Sequence, residues 1–330
     1  MLVTGRAAEQ RLDNNTMHTE PRAARFFLLA SRSPRPGDRC RYSVHLTEKM
    51  MARKADIGCG LSRVEVCSLL FVLLVLMSVV VVTIQRSRES ARRSTCNNNL
   101  RSLGNALQNY HAEMNAFPYG CVGNTALQPA ERWSWYLSVG NHWGHYGTPI
   151  IDYERPWNAP SLRPLQLHTW RNGPEAVVEF DIPLTPFPVI ECPNGTSATH
   201  ADGQPYTDYV ATAGIGSDAA QLPRTSSRAG VWAYDERRSL DDILDGASNT
   251  LIVIETSSNN GCWLAGGPAT VRGYNQTQNP IGANNQFGGL HPNGSMAVFA
   301  DGHTRFIADT IDPELFSSAI TIVSSATNER

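Results

Sequence analysis

The sequence predicts an α+β protein: one long N-terminal helix, partly transmembrane, followed by a mainly antiparallel β-sheet head. Three observations predict this class. Residues 66–84 read VCSLLFVLLVLMSVVVVTI with no charged residue, and about 20 apolar residues suffice to cross a bilayer as a helix. Beyond them, Leu100, Leu103, Leu107, Tyr110 and Met114 recur at three- and four-residue intervals, the spacing of one helix face. From Cys121 onward, short apolar runs (AVVEFDI, DYVATA, TLIVIE, MAVFA, TRFIA) alternate with Gly, Pro, Asn and Asp turns, as paired short strands do.

Taken in order, residues 1–60 read as an N-terminal extension and leader. The first 49 residues hold eight arginines and several prolines without sustained periodicity and read as disordered. Met50 or Met51 is the expected true start, with the leader MMARKADIGCG. One helix is expected over residues 61–114, with its membrane part at 64–84. At 1.5 Å per residue it is roughly 80 Å long, half in the membrane and half packed on the head. Pro118 and Gly120 are expected to end it. Residues 115–330 form the β-rich globular domain.

Composition excludes several classes. The 330 residues are 41% hydrophobic and 18% charged with a formal net charge of -2, so no basic footprint for nucleic acid is present. Twenty-six glycines and 20 prolines argue against an all-helical body. Seven cysteines occur without a C-x2-C pair, which excludes a zinc ribbon. Two expectations remain for Cys121, Cys192 and Cys262: one disulfide among them on an oxidising side, or three buried thiols. Arg53, Lys54 and Arg63 precede the apolar run, and Arg86, Arg88, Arg92 and Arg93 follow it, so flanking charge alone does not orient the span. QRSRESARR follows the run directly, without the small-residue cleavage site of a secretory signal. Cys59 precedes the run rather than following it, which excludes a lipoprotein signal.

Gly60, Leu61, Ser62, Arg63, Val64 and Glu65 stand directly before the apolar run. A glycine, four residues, a glutamate and a membrane-length run resemble the cleavage and assembly signal of type IV prepilins and type II pseudopilins. The resemblance implies that a prepilin peptidase cuts between Gly60 and Leu61, leaving Leu61 as an N-methylated terminus. Glu65 then stands at the fifth mature position and pairs with the terminal amine of a like subunit. It also implies a single pass through the cytoplasmic (inner) membrane, with the head periplasmic or on the cell surface. That family usually carries Phe or Met where Leu61 stands and an apolar residue where Arg63 stands.

The segment ARRSTCNNNLRSLGNALQNYHAEMNAFP narrows the resemblance. It is similar to the stretch after the span in a large bacterial family of pseudopilin-like proteins, abundant in planctomycetes, that carry a domain of unknown function and a C-terminal H-x9-D-G signature. His291 and Asp301-Gly302 supply that signature within GLHPNGSMAVFADGHTRFI. ECPNGT, TDYVATAG and DDILDGASNTLIVIE also stand in the family order, so the resemblance covers about residues 60–312. WSWYLSVGNHWGHYG departs from the family's leucine- and proline-rich version. The resemblance implies fold and topology and no reaction.

His291, Asp301 and His303 invite a metal-site reading, but turn chemistry explains them better. Pro292-Asn293-Gly294 is a turn signal, and Asp301-Gly302 a hairpin signal between two short apolar strands. His291 then marks a strand end, and Asp301 takes the left-handed conformation of the turn. Asp245-Gly246 with Ser248 or Asn249 makes a second turn before TLIVIE. Asp245 and Asp301 resemble the loop carboxylates that bind calcium in some major pseudopilins, yet their spacing is not that of an EF-hand loop. His142 and His145 flank Trp143 with no third ligand in reach along the sequence. No cofactor is expected, with calcium at Asp245 or Asp301 as the lesser alternative.

Trp133, Trp135 and Trp143 are the candidate ligand-binding residues, because aromatic faces stack on sugars or anchor protein partners. The favoured expectation is nonetheless a core strand with Trp133, Trp135 and Leu137 alternating inward. No G-x-S-x-G, P-loop, G-x-G-x-x-G or H-E-x-x-H motif occurs, and a non-enzyme is expected. The leading expectation is a pseudopilin-like subunit of a secretion pseudopilus or surface fibre. The alternative is a membrane-tethered module that binds a glycan or another exported ligand.

Overall fold

The computed structural model describes residues 62–143, 149–159, 165–169, 176–180, 188–195 and 205–323. Gly60, Leu61 and His145 lie outside the described residues, as do the side chain of Trp143 and the whole N-terminal extension.

Helix α1 spans Arg63–Met114, 52 residues with Glu65 in its first turn. At 1.5 Å per residue its length is about 78 Å. Every residue from 63 to 88 is exposed, including the whole apolar run. The hydroxyls of Ser68, Ser78 and Thr83 donate to the carbonyls of Glu65, Val75 and Val80 at 2.9, 2.7 and 2.8 Å. Hydroxyls on an apolar helix are thereby satisfied without water, as a bilayer requires. The second half buries Cys96, Leu100, Leu103, Gly104, Ala106, Leu107 and Tyr110. Met114, expected on the same face, is exposed. The helix ends at Asn115, whose φ of 54° takes the left-handed cap position while its amide donates to the His111 carbonyl at 2.8 Å. The stop therefore precedes Pro118 and Gly120.

The strands follow in order: β1 (Cys121–Val122), β2 (Trp133–Ser134), β3 (Pro149–Ile150), β4 (Leu165–Thr169), β5 (Ala176–Phe180), β6 (Tyr209–Ile215), β7 (Leu251–Glu255), β8 (Val271–Tyr274), β9 (Gly294–Phe299) and β10 (Thr304–Ala308). A one-turn helix α2 (Tyr136–Val139) follows β2, and α3 (Pro313–Ala319) follows β10. The head is built on a five-stranded sheet of order β10-β9-β7-β6-β8. Its pairs are antiparallel except β6–β8, which is parallel, so a mainly antiparallel sheet is mixed at one edge. Strands β1 and β2 form a two-stranded ribbon, and β3, β4 and β5 a three-stranded one.

The central strands are buried on both faces, and their side chains divide by the period-2 rule. Met296 and Val298 on β9 join the core cluster with Leu100, Leu103 and Leu107 of α1. Ala297 and Phe299 join the opposite cluster with Tyr274, Phe287 and Phe316. The first face is thus covered by the helix and the second by α3 and the loops beside it. Asp312 caps α3, accepting from the Glu314 and Leu315 amides at 2.8 and 3.2 Å, with Pro313 at the first helical position.

The expected strand through Trp133, Trp135 and Leu137 is corrected. Strand β2 stops at Ser134, whose hydroxyl accepts from the Tyr136 amide at 3.3 Å, and Trp135 turns into α2 with φ -59° and ψ -23°.

Candidate functional site

The two ends of the H-x9-D-G signature both meet α1. Pro292, Asn293 (φ 66°) and Gly294 make the expected turn into β9. His291, just before it, is buried against the helix. Its Nδ1 lies 2.8 Å from Glu89 Oε1 on α1. The Asn194 amide donates to Glu89 Oε2 at 2.9 Å and to the Leu290 carbonyl at 2.9 Å. Arg92 and Arg93, three and four residues further along α1, reach the same carboxylate at 3.2 and 3.1 Å. Arg93 also donates to the Pro292 carbonyl and lies 4.7 Å over the Phe306 ring of β10.

The hairpin between β9 and β10 grips the helix four turns later. Gly302 takes φ 86° and its amide donates to the Phe299 carbonyl at 2.8 Å. The left-handed position is Gly302, correcting the expectation for Asp301. Asp301 instead accepts from the His303 amide at 3.1 Å and pairs with its Nδ1 at 2.5 Å, at the exposed tip of the turn. Helix and turn approach so closely that a Cβ on Gly104 would lie 2.7 Å from the Gly302 carbonyl oxygen. Gln108 donates to the Ala300 carbonyl at 2.7 Å, and Thr304 to Asn97 Oδ1 at 2.6 Å. The signature is a docking surface for the helix.

Behind His291 the site continues inward. Its Nε2 lies 3.4 Å from Cys192 Sγ and 3.5 Å from Oε1 of Glu255 at the end of β7. Glu255 is fully buried, and its other oxygen accepts from the Met296 amide at 2.7 Å. Cys192 is joined to Cys96 of α1 by a disulfide across 96 residues of sequence. Sequence reasoning restricted pairing to Cys121, Cys192 and Cys262; the partner of Cys192 is on the helix instead. Cys121 and Cys262 are buried thiols, and burial pushes the Cys121 thiol up to about 12, which makes it a poor nucleophile.

The electrostatics follow from the packing. Burial raises Glu89, but hydrogen bonds from Asn194, His291 and Arg93 prevail and hold it at about 2. Burial pulls His291 down, yet Glu255 and Glu89 outweigh it and set the imidazole above its ordinary range. Asp208, which accepts from the Cys192 amide at 2.8 Å and from Asn260 at 3.0 Å, is pushed up to about 7 by burial. With the His291 side chain fully covered, no substrate reaches the imidazole while α1 is docked. The arrangement pins helix to head.

The other candidates lie apart. Glu65 is in the exposed first turn of α1. Trp133 and Trp135 are fully buried, their Nε1 groups donating to the Arg155 and Thr270 carbonyls at 3.0 and 3.1 Å. Trp135 stacks on Tyr136 at 3.9 Å and leans on Trp232 at 4.6 Å. Neither ring keeps an open face for a ligand, so the favoured core reading holds and the candidate binding role of these two residues is corrected. Trp143 closes the 3-10 turn Gly140–Trp143. In that turn His142 meets Glu113 of α1 at 3.6 Å and the Tyr110 ring edge-on at 5.6 Å. The Asp245-Gly246 turn forms as expected, with Gly246 at φ 90° and the Asn249 amide on the Asp245 carbonyl at 3.0 Å.

Glu89, Cys96, Asn194 and Glu255 escaped sequence reasoning. The only local signal was Glu89 followed by Arg92 and Arg93 at helical spacing.

No curated protein and no solved structure matches the chain. A family described as proteins of unknown function, DUF1559, matches residues 85–276 and 259–314, which include the docked half of α1, the head sheet and the H-x9-D-G segment. The chain belongs to the DUF1559 family.

Proposed function

We propose that the chain is a membrane-anchored, pseudopilin-like structural subunit, non-catalytic, of a type II secretion or type IV pilus-like assembly. The observation that carries this reading is the division of one helix into two surfaces. Residues 89–110 are locked into the head, while residues 63–88 are uncovered. An exposed apolar surface of this extent needs a covering of lipid or protein. The 19 uncharged residues 66–84 give about 28 Å of helix, close to the ~30 Å hydrocarbon thickness.

Glu65 stands at the edge of that surface. A carboxylate at bilayer depth costs energy unless it is paired, and the amine of a neighbouring subunit freed by cleavage at Gly60–Leu61 supplies a partner. A prepilin peptidase is therefore the processing partner, like subunits are the assembly partners, and the head faces away from the cytoplasm. The alternative, a tethered glycan-binding module, loses two of its three candidate residues with the burial of Trp133 and Trp135. The test is Glu65→Ala with intersubunit crosslinking along α1. The variant should insert and fold as a monomer but lose the crosslinked ladder; a ladder equal to that of the unaltered protein rejects the reading.

A further inference from the structure

The helix–head junction gathers four ligands of a kind that bind metals. The side-chain ligand atoms of Cys96, Cys192, Glu255 and His291 all lie within 4.8 Å of one another, and all four residues are buried. Among the described residues, Glu255 Oε1 meets no hydrogen-bond donor, although the residue is fully buried. With no hydrogen bond and only the His291 imidazole 3.5 Å away, this buried carboxylate oxygen is poorly satisfied. His291 Nδ1 faces the Glu89 carboxylate at 2.8 Å, so Nδ1 carries the proton and Nε2 turns toward Cys192 and Glu255. A carboxylate on one imidazole nitrogen with the other nitrogen aimed at a cluster is the usual support of a metal-bound histidine.

We propose that, when Cys96 and Cys192 are thiols, this cluster binds one divalent transition ion of the zinc class through two thiolates, His291 Nε2 and Glu255 Oε1. Four N, S and O ligands suit tetrahedral zinc. Two thiolates at about 2.3 Å from such an ion stand roughly 3.8 Å apart, which side-chain rotation permits across a Cα separation of 5.4 Å. The ion and the disulfide exclude each other, because the thiolate is the metal ligand and a neutral disulfide sulfur is a poor one. Reduction by a phosphine breaks the S–S bond, with water supplying the phosphine oxide oxygen and the two thiol protons. Metal binding then releases both thiol protons, together with any proton on Nε2. Either state ties α1 to the head at the same place, so the link survives in reducing and oxidising surroundings alike.

The test uses the full chain in detergent, with cobalt(II) as the probe and zinc(II) as its competitor. The phosphine-reduced protein should take up one cobalt per chain with tetrahedral ligand-field bands and a thiolate charge-transfer band, lost on adding zinc. The disulfide form should show neither. Glu255→Gln and His291→Gln should each weaken cobalt binding at least about tenfold. Should those variants unfold, the unaltered reduced chain still decides: zinc should slow alkylation of Cys96 and Cys192. Absence of cobalt bands in the reduced protein, unchanged affinity in both folded variants, or equal alkylation with and without zinc would overturn the proposal.

Discussion

Gly104→Ala isolates the contact by which the H-x9-D-G turn holds the helix. Two effects oppose each other. Alanine is a better helix former than glycine by about 1 kcal/mol. The new methyl, however, would stand 2.7 Å from the Gly302 carbonyl oxygen and 3.1 Å from Val298 Cγ1. The first neighbour is backbone in a tight turn and has little room to retreat, and overpacking of this kind costs about 1–3 kcal/mol. Moving the helix away instead stretches the 2.7 Å bond from Gln108 to the Ala300 carbonyl, worth about 1 kcal/mol. The balance is a loss of up to about 2 kcal/mol, or a thermal midpoint lower by up to about 8 °C for a body of this size. Gly140→Ala is the control. At φ -54° its new methyl meets no described atom within 4 Å, so the midpoint should hold or rise by the equivalent of about 0.4–1 kcal/mol. Thermal unfolding of the full chain in detergent measures both. If Gly104→Ala raises the midpoint as Gly140→Ala does, the close approach of helix and turn is wrong.

The titrating groups give stability a maximum in mild acid. Glu89, held at about 2, contributes stability that is full above about pH 4.3 and lost as pH falls toward 2. Asp208, at about 7, and His291, above its usual value, contribute in the opposite sense. Their stabilisation is full below about 4 and 6.5 respectively and is lost as pH rises through the folded values. The midpoint should therefore peak near about pH 4 and fall from there through about pH 7, and a flat profile from about pH 4 to 8 would refute these environments. Trp135→Ala removes a fully buried indole with its stack on Tyr136 and should cost about 3–5 kcal/mol in denaturant titration; a loss below about 1 kcal/mol would mean the ring is not core. Cys192→Ser, in a chelator, opens a cross-link spanning 96 residues and should cost about 2–5 kcal/mol. Equal stability of variant and parent would show the disulfide absent.

Local pattern carried most of the fold. The three- and four-residue spacing of Leu100, Leu103 and Leu107 found the docked face of α1, and the Asp245-Gly246 and Asp301-Gly302 turns placed the starts of β7 and β10. Trp133 and Trp135 misled because period 2 cannot distinguish a strand from a strand that curls into a turn after two residues. The site was legible only at one end. His291 was singled out as a strand terminus, but its partner Glu89 is 202 residues away, and no local signal encodes such a pairing. Cys96 stands outside the pairing set of Cys121, Cys192 and Cys262, and only the packed helix carries it into the head core. Asp301 and Gly302 read correctly as a turn, yet only the packed structure gives that turn its second role, as the seat for Gly104.

The mature N-terminus tests the pseudopilin-like reading most directly. The protein, expressed with a prepilin peptidase beside a pilin that is processed normally, is recovered from membranes and its terminal peptide read by mass spectrometry. The account predicts a chain beginning at Leu61 with a methylated amine, so that Glu65 is its fifth residue. A terminal peptide that runs intact across Gly60–Leu61, while the pilin is cleaved, would contradict it.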